Sequence, residues 1–219
     1  MTWEKFWELN VGEWSKTPFP FTKFNYIVER IDGMDYTVYP AKENIFKAFR
    51  LTPPSELKVV ILGLDPYVDK DRATGLSFAN FNEDMRSASP SLKIIWNCVE
   101  KEIHNGLILD FDFSLESWAK QGVLMLNTSL TVEAGKTGSH LKLWSLFTND
   151  ILQFITKEYP ETIFILWGKQ AEQYEHLCTN VLKYVHPAYA VYSHTSWNCK
   201  NFSEANEILL KQGKQIIKW

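Results

Sequence analysis

Residues 57–67 read Leu57-Lys58-Val59-Val60-Ile61-Leu62-Gly63-Leu64-Asp65-Pro66-Tyr67. An apolar run rich in Val, Ile and Leu offers no polar face to water, so Leu57–Gly63 reads as a buried strand of a parallel sheet. Pro66 forces the chain to turn directly after the strand, at Asp65. Three similar runs follow, Val123–Asn127, Thr162–Gly168 and Val181–His186, each leading into a turn or loop. Amphipathic segments lie between and after them, at Ser91–Ile103, Leu141–Glu158 and Asn201–Lys214. Within the second of these, Trp144, Phe147, Ile151 and Phe154 recur at helical spacing. Strands alternating with helices imply βαβ units. The expected fold is a single α/β domain over residues 1–219, with a central four-stranded, mainly parallel sheet flanked by helices. The part up to Leu51 reads as aromatic-rich and irregular, broken early by Pro18 and Pro20, with a short helix over Lys42–Phe49 closed by Pro53-Pro54.

Ligands of open parallel sheets bind beyond the carboxyl ends of the strands. That edge carries Asp65, Asn127, Gly168-Lys169 and His186-Pro187. Each polar residue alone has an ordinary structural explanation: an Asx-type turn for Asp65, a turn amide for Asn127, a satisfied buried imidazole for His186. A carboxylate, an amide and an imidazole at three strand ends nonetheless form the convergent set expected of a site. Phosphate-loop, dinucleotide-loop, zinc-helix and serine-elbow motifs are missing, and the histidines lack metal-ligand spacing, so no metal or cofactor is expected.

With 45% hydrophobic and 22% charged residues over 219 positions, the composition excludes disorder, collagen and coiled coil. Three scattered cysteines without a C-x-x-C pair argue against a disulfide framework or a cysteine-held zinc, and point to a reducing cytoplasm or nucleus. No apolar run is long enough to span a bilayer, and the opening MTWEKFWELN reads as neither signal nor transit peptide. A net charge of −3 argues against a basic nucleic-acid coat protein but leaves DNA binding open, because distribution matters more than the sum. Residues 100–116 hold Glu100, Glu102, Asp110, Asp112 and Glu116 against one lysine, and residues 183–219 hold five lysines against two glutamates.

These residues carry a resemblance. Gly63-Leu64-Asp65-Pro66-Tyr67 with Gly75-Leu76-Ser77-Phe78 resembles the water-activating loop of family 1 uracil-DNA glycosylases, usually GQDPYH with a downstream GL-x-F. Leu124 to Val132, through Asn127, resembles their uracil-binding strand LLLN-x-x-LTV. Ser139-His140 through Trp144, Phe147 and Thr148 is similar to their S-H…W-x-x-F-T helix, Phe164 to Gly168 to their F-x-L-W-G, and His186-Pro187 to their H-P-S-P leucine loop, with Cys199 and Phe202-Ser203 in register behind it. The matches run in the family's order over roughly residues 55–215. The resemblance implies a three-layer α/β/α fold and hydrolysis of the N-glycosidic bond of uracil in DNA. It assigns Asp65 to the water and the positive sugar, His186 to the departing uracil, Asn127 to the base edge, Phe78 to stacking, Tyr67 to excluding a 5-methyl group, and the backbone at Leu64 to the substrate. It places DNA contacts at Pro90, Ser91, Gly168, Lys169, Ala188, Tyr189, Ala190 and Tyr192. The implied partners are single- or double-stranded DNA containing uracil, with a glycosylase inhibitor protein or a replication partner as further candidates and a monomer as the expected state.

The chain also departs from the family. Leu64 stands where the family has glutamine and Val68 where it has histidine, as in poxviral relatives, and Val68–Thr74 is charged. After His186 the family's H-P-S-P-L-S becomes Pro187-Ala188-Tyr189-Ala190-Val191. The phosphate-binding serine is thus Ala188, and the leucine wedge aligns with Ala190. The Gly-Ser clamp is Gly168-Lys169, and the proline-rich loop is reduced to Ser87–Ser91. Without a wedge to offset unstacking, a relative preference for single-stranded DNA is expected. Two readings stay open beside an active uracil enzyme: a DNA- or protein-binding processivity subunit on the same fold, and a glycosylase for another damaged base.

Overall fold

Strands apolar on both faces must be covered on both faces, and the helices of this chain supply the two covers. The computed structural model describes residues 2–81, 86–107, 111–193 and 195–219. The main sheet is built from β2 (Val59–Gly63), β3 (Val123–Asn127), β5 (Ile163–Trp167) and β6 (Val181–Tyr184), in the order β3-β2-β5-β6 with every pair parallel. All residues of β2, β3 and β5 are buried. Strand β6 is one of the two edges, with Lys183 facing solvent, a common guard against edge-to-edge pairing. Successive connections leave β2 in opposite directions, to β3 on one side and across to β5 on the other. The crevice at its carboxyl end is therefore the topological switch point.

Helices α1 (Trp3–Val11), α2 (Asn25–Asp32), α3 (Lys47–Leu51) and α4 (Pro90–Glu102) precede β3, with α5 (Glu116–Ala119) just before it. Helix α6 (Leu141–Glu158) joins the two halves of the sheet, and α7 (Lys169–Glu172), α8 (Pro187–Ser193) and α9 (Asn201–Lys211) complete the chain. A two-stranded antiparallel ribbon, β1 (Val38–Tyr39) with β4 (Val132–Glu133), was not apparent in the sequence. Helix α4 starts where its chemistry says it should. The Ser89 hydroxyl accepts from the Leu92 N–H at 3.1 Å, and Pro90, whose missing N–H costs nothing in a first turn, opens it.

The expectation of an irregular N-terminal part is corrected. Trp3, Phe6, Trp7 and Val11 fall at helical spacing in α1, where the Thr2 hydroxyl caps Lys5 N–H. Pro18 and Pro20 separate helices rather than abolish them. The helix expected over Lys42–Phe49 divides into a 3-10 turn at Lys42–Asn44 and α3 at Lys47–Leu51. This segment forms an aromatic layer against α6. Phe147 is fully buried and meets Phe24 at 5.1 Å, Trp144 at 5.4 Å and Phe49 at 6.0 Å between ring centroids, all edge-on. The acidic stretch is largely absorbed by structure: Glu102 accepts from Ser203, Asp112 caps the turn before α5, and Glu116 pairs with Lys47 and Lys120. Asp110 of that stretch lies outside the described residues.

Phe147→Ala should lower stability by about 3–5 kcal/mol, because the cavity it leaves is walled by rigid rings. In a chain of this length that corresponds to a melting-temperature drop of roughly 6–20 °C. Its exposed neighbour is the control, and Leu146→Ala should change stability by less than about 0.5 kcal/mol. Thermal denaturation of the pair checks whether the aromatic layer is docked as described.

Candidate active site

Beyond the carboxyl end of β2 lies an open cavity of about 360 Å³, within the range of small-ligand sites (about 300–1,000 Å³). Asp65, Tyr67, Phe78, Asn127 and His186 all line it. The parallel register sets Gly63 opposite Asn127. A Cβ on residue 63 would lie 2.3 Å from Asn127 Oδ1, so glycine is what lets the amide lie across the end of the sheet. Asn127 is buried, and its side-chain amide has no hydrogen-bond partner among the described residues. Its neighbours are pinned to the β2 exit: Thr128 Oγ1 donates to the Leu64 carbonyl at 2.6 Å, and Ser129 N–H donates to the same oxygen at 3.0 Å.

Asp65 is half-buried. Burial raises its pKa above the ordinary carboxylate range, against the lowering effect of the Gly138 N–H, which donates to Oδ2 at 2.6 Å. Gly138 holds φ +78° in the turn between β4 and α6, a conformation that favours glycine. Its role had no signal in the side-chain pattern, because the group that matters is a backbone N–H.

His186 follows β6. The Ala188 N–H donates to its Nδ1 at 3.1 Å. An accepting Nδ1 places the proton of a neutral imidazole on Nε2. Burial lowers the pKa of His186, which favours that neutral form. Gly168, at φ +81°, lets the end of β5 approach this histidine: a Cβ there would sit 2.7 Å from His186 Cβ. The Trp197 indole N–H holds the Val185 carbonyl just upstream at 2.7 Å.

Phe78 sits at φ +64°, a strained conformation for a bulky residue. Such strain persists only where the surroundings over-determine it. Here the ring lies edge-on against Trp167 at 5.4 Å and 5.7 Å from the His186 ring. The Tyr67 hydroxyl shares a 2.6 Å hydrogen bond with Ser89 Oγ, and burial raises its pKa, so the ring stays a neutral phenol.

The predicted DNA-contact residues divide. Ser91, Ala188 and Tyr192 line the cavity together with Leu64, whereas Pro90, Gly168, Lys169, Tyr189 and Ala190 do not. Lys169 and Tyr189 are exposed on the same edge of the fold. Ala190, aligned with the wedge, is corrected: it is 4% exposed and faces inward from α8, so it presents nothing to a duplex. Tyr192 is 83% exposed at the cavity mouth. Thr137 and Arg72 also line the cavity, and the sequence reading gave neither a role. Among the described residues no three His, Cys, Asp or Glu side chains gather as metal ligands would.

Comparison with known proteins agrees with this geometry. The family model described as the uracil DNA glycosylase superfamily matches residues 49–210. Uracil-DNA glycosylase of Fusobacterium nucleatum is 42% identical over 84% of this chain and 82% of its own. That of Coxiella burnetii is 37% identical over 97% and 95%. Among solved structures, mimivirus uracil-DNA glycosylase superposes with a TM-score of 0.80 at 24% identity, covering all of this chain and 93% of its own. A variant of the mimivirus UNG in complex with UGI gives 0.78 at 25% identity, over all of this chain and 94% of that one. The sheet order, the switch-point cavity and a family match over most of the length lead to one statement: the chain belongs to the uracil-DNA glycosylase superfamily of DNA-repair hydrolases.

Proposed function

We propose that this enzyme hydrolyses the N-glycosidic bond of uracil in DNA, with Asp65 and His186 as its catalytic residues. The observation that carries this reading is the tautomer of His186, whose bonded Nδ1 leaves an Nε2–H donor in the cavity that Asp65 and Asn127 also line. The target base must leave the stack to be reached. Phe78 stacks on it, and the unpartnered Asn127 amide accepts from uracil N3–H and donates to O4. Cytosine offers the reverse pattern, and Gly63 leaves the room the amide needs to lie at the end of the sheet. Tyr67, pinned through Ser89, fills the space beside C5 and excludes the thymine methyl.

As the C1′–N1 bond breaks, its electron pair goes to the uracil, and positive charge grows on the sugar. The Asp65 carboxylate stabilises that charge and orients the water whose oxygen bonds to C1′. The neutral imidazole donates a hydrogen bond to uracil O2 as the anion forms, with no need to transfer its proton. Removing one such donor commonly costs about 10²–10³ in rate. His186→Leu should therefore lose about that factor, and Asp65→Asn at least as much, each melting within a few degrees of wild type. Single-turnover uracil release from a single-stranded oligonucleotide measures both. Wild-type release by Asp65→Asn would remove the mechanism, and a wild-type chain that binds but releases nothing would favour the binding-subunit reading.

The pH profile follows from the two shifts. Asp65 must be ionised, and its pKa is raised, so log(kcat/KM) should climb with unit slope on the acid side to a break above the ordinary carboxylate range. Burial lowers the pKa of His186 below the ordinary imidazole value, so the profile should stay flat through the ordinary imidazole range. A second break in that range would contradict the neutral-donor assignment.

The α8 geometry supports a preference for single strands. With Ala190 buried, no aliphatic wedge faces the duplex to offset the few kcal/mol of unstacking. Tyr192 and Tyr189 stand exposed instead and suit base stacking, which is tolerant of sequence. The kcat/KM for a single-stranded substrate should exceed that for a duplex U·G substrate, and Tyr192→Ala should narrow the gap by weakening the single strand more. A clear duplex preference would count against this reading.

A further inference from the structure

Among the lysines and arginines of the described residues, Arg72 is the one that lines the cavity. The same wall carries two carboxylates, Asp65 and Asp69. A DNA strand entering such a site brings negative phosphates towards acids, and the serine that the resemblance expects to meet phosphate is absent, Ala188 standing in its place. Arg72 lines the same cavity as Ala188. Its Nη2 and Nε contact the same Asp69 oxygen, at 2.7 Å and 3.0 Å, three residues back along the loop. The guanidinium carbon stands 5.4 Å from the centre of the Tyr67 ring. Held from two sides, the group is oriented without being enclosed, its side chain being 40% exposed.

We propose that Arg72 is the phosphate-contacting and positioning residue of this site, held ready by Asp69 and exchanging that carboxylate for a phosphate of the extruded nucleotide. A planar fork is suited to two phosphate oxygens at once, and the exchange trades one charge-assisted bond for another, so it costs little at an exposed pair. Stacking over Tyr67 then couples phosphate engagement to the ring that bounds the base. This assignment rests on the glycosylase reading for the identity of the base, but the phosphate contact itself is read by binding alone.

The test uses the full chain and an unmodified single-stranded oligonucleotide, with affinity followed by fluorescence anisotropy over a salt series, alongside steady-state uracil release from the matching uracil-containing strand. Arg72→Ala should weaken binding about tenfold and reduce the slope of log K against log salt by about 0.7, the value of one phosphate contact on a single strand. In turnover it should act on KM more than on kcat. Arg72→Lys should keep the slope, as a point charge does, while losing part of the affinity, and Asp69→Asn should tighten binding by removing a competing acid. An unchanged salt slope in Arg72→Ala overturns the proposal. So does a variant whose only defect is new release of thymine, since that would make Arg72 a brace for Tyr67. Absence of uracil release by the wild type, with the slope change still present, would instead fault the glycosylase reading and leave the phosphate contact standing.

Discussion

In-register pairing of β2 with β3 brings a residue without a side chain opposite one whose amide must lie flat. Gly63 leaves room for Asn127 Oδ1 where any other residue would put a carbon 2.3 Å away. The amide is therefore accommodated at the sheet end, and its hydrogen-bonding edge remains unspent. That edge borders the open cavity. Phe78, Asp65 and His186 line the same cavity as this amide, and in the proposed mechanism they act on a base held by it.

Burial acts on Asp65 and His186 in opposite senses and with one result. It makes the acid harder to ionise and the imidazole harder to protonate, so both shifts favour the uncharged form. The Gly138 N–H counteracts this at Asp65 alone, favouring the carboxylate. At His186 the bond from Ala188 orients the ring and selects its tautomer. The cavity thus pairs a carboxyl group supported by one backbone donor with an imidazole oriented by another, the two groups to which the proposed mechanism gives the charges of bond cleavage.

Much of this was legible in the sequence because burial on two faces leaves a plain record. The cores of the strand runs and the whole of α6, Leu141–Glu158, coincide with the structure, and their order alone placed Asp65, Asn127 and His186 on one edge. The N-terminal layer was not legible. Its aromatic residues are spaced for helices, but prolines and short 3-10 turns interrupt the period before it accumulates. The Gly138 contribution was hidden for a different reason: a backbone donor is available at every residue but proline, and only the fold selects one. Arg72 was obscured by its surroundings, since a charged loop reads as solvated surface until the chain folds it over Tyr67.

Replacement of the family's second proline after the histidine has consequences beyond its own side chain. Tyr189 N–H donates to the His186 carbonyl at 2.9 Å, closing the first turn of α8, and a proline at that position has no N–H to give. With Pro187 at the helix start, Ala188 and Ala190 favour continuation. Once the segment winds as a helix, residue 190 turns inward and residue 192 comes out at the cavity mouth. The small side chain at 190 is thus a packing requirement of the helix, and the exposed ring at 192 is its geometric counterpart two residues on. The same winding delivers the Ala188 N–H to His186 Nδ1. One turn of helix therefore sets both the inward position of residue 190 and the bond that selects the tautomer of His186.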